Sequence, residues 1–343
     1  MSRLRVAVVG AGNWGRNHAR SLSALSDVEL TAVCDVDAAT REAMARQYPG
    51  VLVTESFDQA LEGVDAAVIA TPAATHAELA GKIMERGLPV LVEKPFALST
   101  REAEAIAEVA EARGVPVLVG HLLVFHPAVE RLKTMIASGD LGEIYYLYSQ
   151  RVNLGQVRPD ENALWSFGPH DISVALELLA QVPVRVTAQG RSFLQPGIED
   201  VVFMTMEFAS GVIGHVQMSW LDPHKVRRLT VVGSQKMVVF DDMQAREKLK
   251  IYDKGVDRPP QYDSYGESLA IREGDISIPR VPNVEPLSAE LQHFVRVARR
   301  QEPPRVGVRD GVIVVRLLEA ASESMRLGGA VVDVSPQLGA HQA

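Results

Sequence analysis

The first 121 residues alternate between short apolar stretches and helix-like stretches, and this pattern limits the possible folds more than any other feature. The apolar stretches are rich in Val and carry no polar face, which is typical of parallel strands covered by helices on both sides. Strand–helix alternation of this kind predicts right-handed crossovers and a doubly wound sheet. The strand-like stretches are RVAVVG (5–10), ELTAVCD (29–35), AAVIAT (66–71), PVLVEK (89–94) and PVLVGH (116–121).

The pattern changes after residue 121. Longer stretches with alternating apolar and polar residues follow, such as IYYLYSQRVN (144–153), and Ala-Ser-Gly and Gly-Ser turns indicate hairpins. One helix, LWSFGPHDISVALELLAQ (164–181), lies among them. With 343 residues the chain predicts two domains, 1–121 and 122–343, the second with a mixed, largely antiparallel sheet. Residues 253–284 are polar and predict a long loop.

Composition narrows the class of protein. Hydrophobic residues make up 47% and charged residues 23%, as in ordinary globular proteins. The net charge of −8 argues against nucleic-acid binding, and no apolar run reaches the roughly 18 residues of a membrane span. The start of the sequence lacks a signal-peptide pattern, so we expect a cytoplasmic protein. A single cysteine, Cys34, excludes an intramolecular disulfide and a cysteine-based zinc site, and we expect no metal.

The segment VVGAGNWG ends the first strand and opens the first helix. It carries Gly10, Gly12 and Gly15 in the G-x-G-x-x-G spacing of dinucleotide-binding turns. Gly10 permits the tight turn, Gly12 lets the backbone approach a pyrophosphate, and Gly15 allows close helix packing. Asp35 ends the second strand, where a carboxylate binds ribose hydroxyls and repels a 2′-phosphate. We therefore predict NAD rather than NADP, although Arg41, about a helical turn further on, works against that preference.

Two further strands end in residues that suit a ligand site. Ligands of doubly wound sheets bind beyond the carboxyl ends of the strands. Thr71 and Pro72 leave the third strand there, and His76 follows as a cofactor contact, a helix cap or an exposed residue. The apolar run Val90–Val92 stops abruptly at Glu93 and Lys94, and Lys94 is either a solvated strand end or a catalytic amine. Pro95 cannot continue the ladder and fixes the turn; the Lys-Pro bond is a candidate for the cis form.

Taken together these segments resemble a known family, that of glucose–fructose oxidoreductase and inositol dehydrogenase (Gfo/Idh/MocA). The similar segments are GAGNWGRNH, CDVD, TPAATH, EKPFALS, VGHLLVFHP and PHDIS, in family order over essentially the whole chain. The resemblance implies an N-terminal Rossmann domain, a C-terminal α/β domain with an open mixed sheet, and homodimers or homotetramers formed through that sheet. It also implies NAD(P)-linked oxidation or reduction of a sugar or cyclitol carbon. Lys94 matches the catalytic lysine of the family, and His170 matches its second catalytic residue.

One position departs from the family pattern. Many members acting on cyclitols and simple sugars carry an aspartate one helical turn before the histidine, where this chain has Ser166. The sequence resembles most the branch that oxidises C3 of UDP-N-acetylglucosamine-type sugars, through RVNLGQVRPDENALWSFGPHDIS and FLQPGIEDV. The alternatives are an inositol or free-sugar dehydrogenase and, more distantly, a non-enzymatic NAD-binding redox sensor. The sensor would leave Lys94 and His170 without a role.

The chemistry of alcohol oxidation suggests separate catalytic roles for Lys94 and His170. The reaction needs a hydride acceptor, which is the nicotinamide, and a proton acceptor. A histidine with a pKa of about 6.5 suits a general base, so His170 is the first candidate, with a core histidine as the alternative. The Lys94 ammonium would stabilise the developing alkoxide. The roles could be exchanged, because a desolvated lysine can approach neutrality.

The remaining candidates are polar or aromatic residues near these segments. Arginines are natural partners of a pyrophosphate, and a tryptophan can stack on a sugar or a base, but each can also be a solvated or packed residue. His121 and His126 either line the substrate pocket or pack in the interior. Asp200 is either a substrate contact or a turn residue. We predict substrate contacts at His121, His126, Arg151, Asn153, Arg158, Trp165 and Asp171, and further cofactor contacts at Asn13, Trp14, Glu93 and Lys94 itself.

Overall fold

The computed structural model describes residues 2–257 and 270–334. Within them the chain divides into two compact units. The first unit runs to Phe125 and also contains Val284–Arg316, whereas the second contains His126–Asn283 and the chain from Leu317 onward.

The first unit is built on a six-stranded parallel sheet with strand order β3-β2-β1-β4-β5-β6. This is the order of a Rossmann fold, in which the switch point lies between β1 and β4. Every residue of β4, β5 and β6 is buried, as expected for strands covered on both faces. The strands are β1 (Leu4–Val9), β2 (Val28–Cys34), β3 (Leu52–Thr54), β4 (Ala66–Ile69), β5 (Val90–Glu93) and β6 (Val117–Gly120). The helices between them are α1 (Asn13–Ser23), α2 (Ala38–Gln47), α3 (Phe57–Ala60), α4 (His76–Glu85) and α5 (Thr100–Arg113).

Helix α5 shows how local sequence sets the boundaries in this unit. The Ser99 hydroxyl accepts a hydrogen bond from the Glu102 N–H, and the Glu102 carboxylate accepts one from the Leu98 N–H. This exchange satisfies donors that a helix start leaves without partners. The helix ends at Gly114, whose φ of 59° lies in the left-handed region that favours glycine.

The second unit contains a nine-stranded sheet of order β14-β13-β12-β11-β7-β10-β9-β8-β15. All neighbouring strands are antiparallel except β7 and β10, which run parallel, so the predicted mixed, largely antiparallel sheet is confirmed. Its strands are β7 (Ile144–Val152), β8 (Pro183–Arg191), β9 (Val201–Phe208), β10 (Ile213–Ser219), β11 (Val226–Gly233), β12 (Met237–Asp241), β13 (Leu249–Asp257), β14 (Ala270–Ser277) and β15 (Val332–Asp333). The helices are α6 (Pro127–Ala137) and α7 (Ala163–Leu179), and α7 packs on β7, β9 and β10.

The long loop predicted at 253–284 is wrong in part. Strand β13 continues to Asp257, and β14 occupies Ala270–Ser277 as an antiparallel edge strand. An edge strand is held by backbone hydrogen bonds and does not need alternating apolar residues. The polar sequence of β14 therefore gives no pattern from which a strand could be predicted. Residues 258–269 of that prediction lie outside the described residues.

The predicted division after residue 121 also differs from the observed one. Helix α8 (Pro286–Ala298) packs on α1 and on the turn Leu122–Phe125, and therefore belongs to the first unit. Helix α8 packs there because it has an apolar face, on which Leu291 and Phe294 are fully buried. Helix α9 (Val308–Arg326) follows. None of the helices in the described ranges is both long and apolar enough to cross a membrane.

Candidate active site

The three glycines after β1 have different surroundings. Gly10 adopts a φ of +88°, which an L side chain rarely tolerates. A Cβ at Gly15 would lie 1.8 Å from the Gly10 carbonyl oxygen, so α1 packs directly on the turn. A Cβ at Gly12 would meet no heavy atom within 4 Å, which leaves open space at the start of α1. Gly12 is also the N-cap of α1 and has no side-chain cap, so an anion can use the N–H groups of the first turn. This cradle fits a dinucleotide pyrophosphate, and the cofactor contacts predicted at Asn13 and Trp14 lie in that first turn.

Asp35 lies next to the glycine turn, where the sequence predicts a ribose contact. Its Oδ2 accepts a hydrogen bond from the Ala11 N–H at 2.6 Å, and its Oδ1 accepts one from the Asp37 N–H at 2.8 Å. The Arg41 guanidinium donates to the carbonyl oxygens of Asp35 and Val36 and pairs with Glu55 at 3.0 Å. The carboxylate is therefore held by backbone, and the nearby guanidinium is engaged with the same loop.

His76 joins two turns at the carboxyl edge of the sheet. Its Nδ1 lies 2.9 Å from the Pro95 carbonyl oxygen and its Nε2 lies 2.9 Å from that of Thr71. Burial lowers the pKa of the ring, which outweighs the two carbonyl contacts. The alternatives of an exposed residue and a helix cap are wrong, because the side chain is buried and Thr75 is the N-cap of α4. His76 thus fixes the turns that carry Thr71, Pro72 and Pro95 at the edge where the cofactor is expected.

Lys94 leaves the end of β5 half-buried, and the Lys94–Pro95 peptide bond is cis. The preceding carboxylate, Glu93, is buried. Glu93 Oε1 lies 2.7 Å from His18 Nε2, and Oε2 accepts a hydrogen bond from the Lys94 N–H at 3.0 Å. Burial favours the neutral acid, but His18 and the Lys94 charge outweigh it and hold the pKa of Glu93 below its usual value. The sequence predicts a cofactor contact at Glu93, whereas in the structure the carboxylate binds His18 and the backbone N–H of Lys94.

Two more buried titratable groups lie within electrostatic reach of Glu93. His121 is fully buried, and burial lowers its pKa to about 4 despite the attraction of Glu93. Burial, together with the Glu93 charge, raises the pKa of Glu290 on α8 well above its usual value. Of the two alternatives for His121, a substrate contact or a packed residue, full burial favours packing. His18 and Glu290 were not predicted from the sequence.

Helix α7 carries the second group of candidates. The Asn162 side chain caps the helix by accepting from the Trp165 N–H, and Pro169 lies inside it just before His170. His170 is half-buried. Asp171 accepts a hydrogen bond from Arg151 Nε at 2.5 Å, which joins α7 to the end of β7. Ser166 is buried one turn before His170, so α7 has no carboxylate at that position.

The other predicted substrate contacts of this unit are dispersed. His126 caps α6, because its Nδ1 accepts from the Ala128 N–H, and its Nε2 lies 3.6 Å from Asp242. Trp165 donates its indole N–H to the Ser322 hydroxyl at 3.2 Å. The remaining two lie on the strand end and loop that precede α7: Asn153 bonds through its N–H to the Ser219 carbonyl, and Arg158 pairs with Glu161 at 3.0 Å.

Asp200 is a turn residue. The carboxylate is buried and accepts hydrogen bonds from the Phe193 and Leu194 N–H groups and from the Trp220 indole. Burial works to raise the pKa of Asp200, but these hydrogen bonds outweigh it and hold the pKa below its usual value. Within the described residues there is no group of three or more His, Cys, Asp or Glu side chains that could hold a metal ion.

Comparison with known proteins identifies the family. The model described as "Oxidoreductase family, NAD-binding Rossmann fold" matches residues 4–121, and the "GFO/IDH/MocA C-terminal domain" matches residues 129–239. The chain belongs to the GFO/IDH/MocA family. It is therefore an oxidoreductase with an NAD-binding Rossmann unit, as the resemblance of its motifs predicted.

Similar proteins span nearly the whole chain. A UDP-N-acetylglucosamine 3-dehydrogenase of Acidithiobacillus ferrooxidans is 28% identical over 94% of this chain and 96% of its own. A scyllo-inositol 2-dehydrogenase (NAD(+)) of Bacillus subtilis is 29% identical over 95% of each. Among solved structures, GenD2 from gentamicin A biosynthesis, crystallised with NAD, gives a TM-score of 0.82 at 29% identity, covering 98% of this chain and 97% of its own.

Proposed function

We propose that this GFO/IDH/MocA protein oxidises C3 of UDP-N-acetylglucosamine, or of a related nucleotide sugar, to the 3-keto sugar with NAD. The choice of substrate rests on one observation in α7. The residue one helical turn before His170 is Ser166, so this position carries no carboxylate. Relatives acting on a nucleotide sugar and on an inositol are similar at nearly the same identity, so their names support both substrates equally.

The residues divide the chemistry as follows. Bound NAD would supply the acceptor for the hydride that leaves the carbinol carbon. His170 takes the hydroxyl proton as general base, and the Lys94 ammonium stabilises the oxygen as its charge develops. Asp171, which follows His170 on α7, forms an ion pair with Arg151 of β7.

The cofactor we propose is NAD rather than NADP. Both oxygens of Asp35 already bind backbone N–H groups, so the carboxylate is fixed where ribose hydroxyls are expected and would repel a 2′-phosphate. Arg41 supports the same preference, because its guanidinium is held by two carbonyl oxygens and Glu55. A higher kcat/KM with NADP than with NAD would refute this assignment.

An inositol or free-sugar dehydrogenase is the second candidate, since a scyllo-inositol 2-dehydrogenase is among the similar proteins. A non-enzymatic redox sensor is set aside, because the family is one of oxidoreductases. The deciding measurement is NADH formation with UDP-N-acetylglucosamine, myo-inositol and free hexoses. Turnover on inositol alone would refute the nucleotide-sugar proposal.

The catalytic roles have their own test. Lys94→Ala and His170→Ala should each lower kcat by about 10²- to 10⁴-fold, as expected when a positioned acid or base is removed. Calorimetry should show that both variants still bind NAD. Lys82→Ala is the control, because Lys82 is a surface residue that pairs with Glu78 on α4. Near-normal turnover in either site variant would contradict its role.

We also propose a cytoplasmic homodimer or homotetramer that forms through the second sheet. One face of that sheet exposes large apolar side chains on the adjacent strands β7, β10 and β9, namely Tyr146, Tyr148, Ile213 and Phe203. Exposed apolar patches of this kind mark association surfaces. Sedimentation of Tyr148→Glu should give a smaller species than the wild type, and an unchanged species would count against this interface.

A further inference from the structure

Two arginines stand directly opposite each other in the second sheet. In the antiparallel pair of β11 and β7, Arg227 is the partner of Arg151. Directly opposed residues of antiparallel strands have Cα atoms only about 4.5–5.5 Å apart. Like charges in this position destabilise a sheet. Such a pair therefore needs either full compensation by carboxylates or an anionic ligand.

Both arginines lie on the face of the sheet that α7 covers. The next pair on that face is Ser149 and Leu229, and both of these residues are buried. Side chains alternate between faces along a strand, so the arginines, two residues further along, point to the same side. The bond from Arg151 to Asp171 of α7 is consistent with this direction.

The carboxylates nearby compensate the two arginines unequally. Arg151 Nε lies 2.5 Å from Asp171 Oδ2, whereas Arg227 Nη1 lies 4.0 Å from Asp242 Oδ2. Asp242 is already bound by the Lys248 ammonium at 3.0 Å. This group of described residues thus contains three cations and two carboxylates, so one positive charge is left over.

The environment of Arg227 reflects that imbalance. Burial lowers the pKa of Arg227, and the neighbouring Arg151 lowers it further, while Asp242 and Asp171 oppose the shift. Its side chain nevertheless remains 44% exposed, so a ligand can reach the guanidinium. The next residue, Arg228, contrasts with it, because Arg228 is bound by Asp241 at 2.9 Å.

We infer that Arg227, beside the Asp171-bound Arg151, binds the diphosphate group of the substrate. This inference rests on the proposed function, and it names Arg227 as a substrate-binding residue that sequence motifs do not reveal. A guanidinium presents a planar fork of donors that matches phosphoryl oxygens, and the fork of Arg227 has its nearest carboxylate, Asp242, only at 4.0 Å. A free sugar or cyclitol has no anionic group for this pair.

Direct binding tests the site without turnover. Calorimetry would compare UDP, inorganic pyrophosphate and uridine binding to the wild type, Arg227→Gln and the matched control Arg228→Gln. Loss of hydrogen bonds to a charged group should raise the Kd for UDP and for pyrophosphate by about 10- to 100-fold in Arg227→Gln. The control should stay within about twofold, and the Kd for NAD should not change in either variant. Arg227→Lys keeps the charge without the fork and should give an intermediate Kd for UDP, which guards against a folding defect in the glutamine variant.

The outcomes separate this site from the proposed reaction. Equal weakening in Arg227→Gln and Arg228→Gln would mean general electrostatic attraction and would overturn the inference. Failure of the wild type to bind either UDP or pyrophosphate would overturn it as well. If UDP binds through Arg227 but no UDP-sugar is oxidised, the diphosphate site stands and the proposed reaction fails.

Discussion

The open space beside Gly12 allows cofactor binding to be separated from folding with one methyl group. In Gly12→Ala the new Cβ meets no heavy atom within 4 Å, and the backbone angles, φ −64° and ψ −160°, suit an L residue. Alanine lowers the conformational entropy of the unfolded chain relative to glycine, which should stabilise the protein by about 0.4–1 kcal/mol. Alanine is also a poorer N-cap than glycine, and this opposing effect is of similar size. The free energy of unfolding should therefore change by less than about 1 kcal/mol.

Cofactor affinity should respond very differently. The added methyl occupies the space through which a pyrophosphate approaches the start of α1, so charge-assisted hydrogen bonds from that turn are lost or lengthened. A bond of this kind contributes about 1.5–3 kcal/mol, which corresponds to roughly a 10- to 100-fold rise in the Kd for NAD. Turnover at saturating NAD should be partly restored, because the catalytic side chains are untouched.

Gly15→Ala is the matched comparison. Its Cβ would lie 1.8 Å from the Gly10 carbonyl oxygen and 2.7 Å from the carbonyl carbon, and backbone atoms cannot move aside cheaply. Overpacking of this kind costs about 1–3 kcal/mol or more, so the melting temperature itself should fall. Differential scanning calorimetry and NAD titration of both variants provide the test. Wild-type NAD affinity in Gly12→Ala, or destabilisation equal to that of Gly15→Ala, would refute the reasoning.

Two further predictions concern buried carboxyl groups. The folded-state pKa of Glu290 is raised, so the stability it provides is complete below about pH 4.3 and is lost as pH rises. Glu290→Gln should therefore melt above the wild type at pH 8 and lose that advantage towards pH 5 in calorimetry, while the exposed control Glu108→Gln shows no such trend. For Asp200 the folded-state pKa is lowered, so its contribution is present above about pH 3.9 and is lost as pH falls through the folded value. Asp200→Asn should cost about 1.5–3 kcal/mol in urea unfolding at pH 7 and less below pH 4; a cost independent of pH would contradict this account.

The sequence predicts the first unit well because its signals are local. A glycine turn after a strand, a carboxylate at the next strand end and a lysine at a third are all features of short segments, and the parallel sheet brings them to one edge. The edge strand β14 carries no such signal, since it is held by backbone pairing with β13. The packing of α8 on α1 also depends on residues far apart in the chain.

The missed residues share another property. His18, Glu290 and Arg227 are polar, and a polar residue on a helix or strand is expected to face solvent unless tertiary packing buries it. His18 follows Gly15 by three residues on α1, a position that turns it towards Glu93 once the helix packs on the sheet. Arg227 becomes a candidate ligand residue only because the strand register places it opposite Arg151. No spacing within a single segment encodes either relationship.

The buried groups around Lys94 bear on which residue takes the substrate proton. Burial works to raise the pKa of Glu93, but His18 and the Lys94 charge lower it, and the Glu93 charge adds to the effect of burial in raising the pKa of Glu290. The positive charge of Lys94 is one of the interactions that lower the pKa of Glu93, so the two side chains attract each other at the end of β5. A cationic amine can stabilise a developing alkoxide, whereas an imidazole can accept a proton. This attraction is consistent with the proposed roles, in which Lys94 stabilises the oxygen and His170 takes the proton.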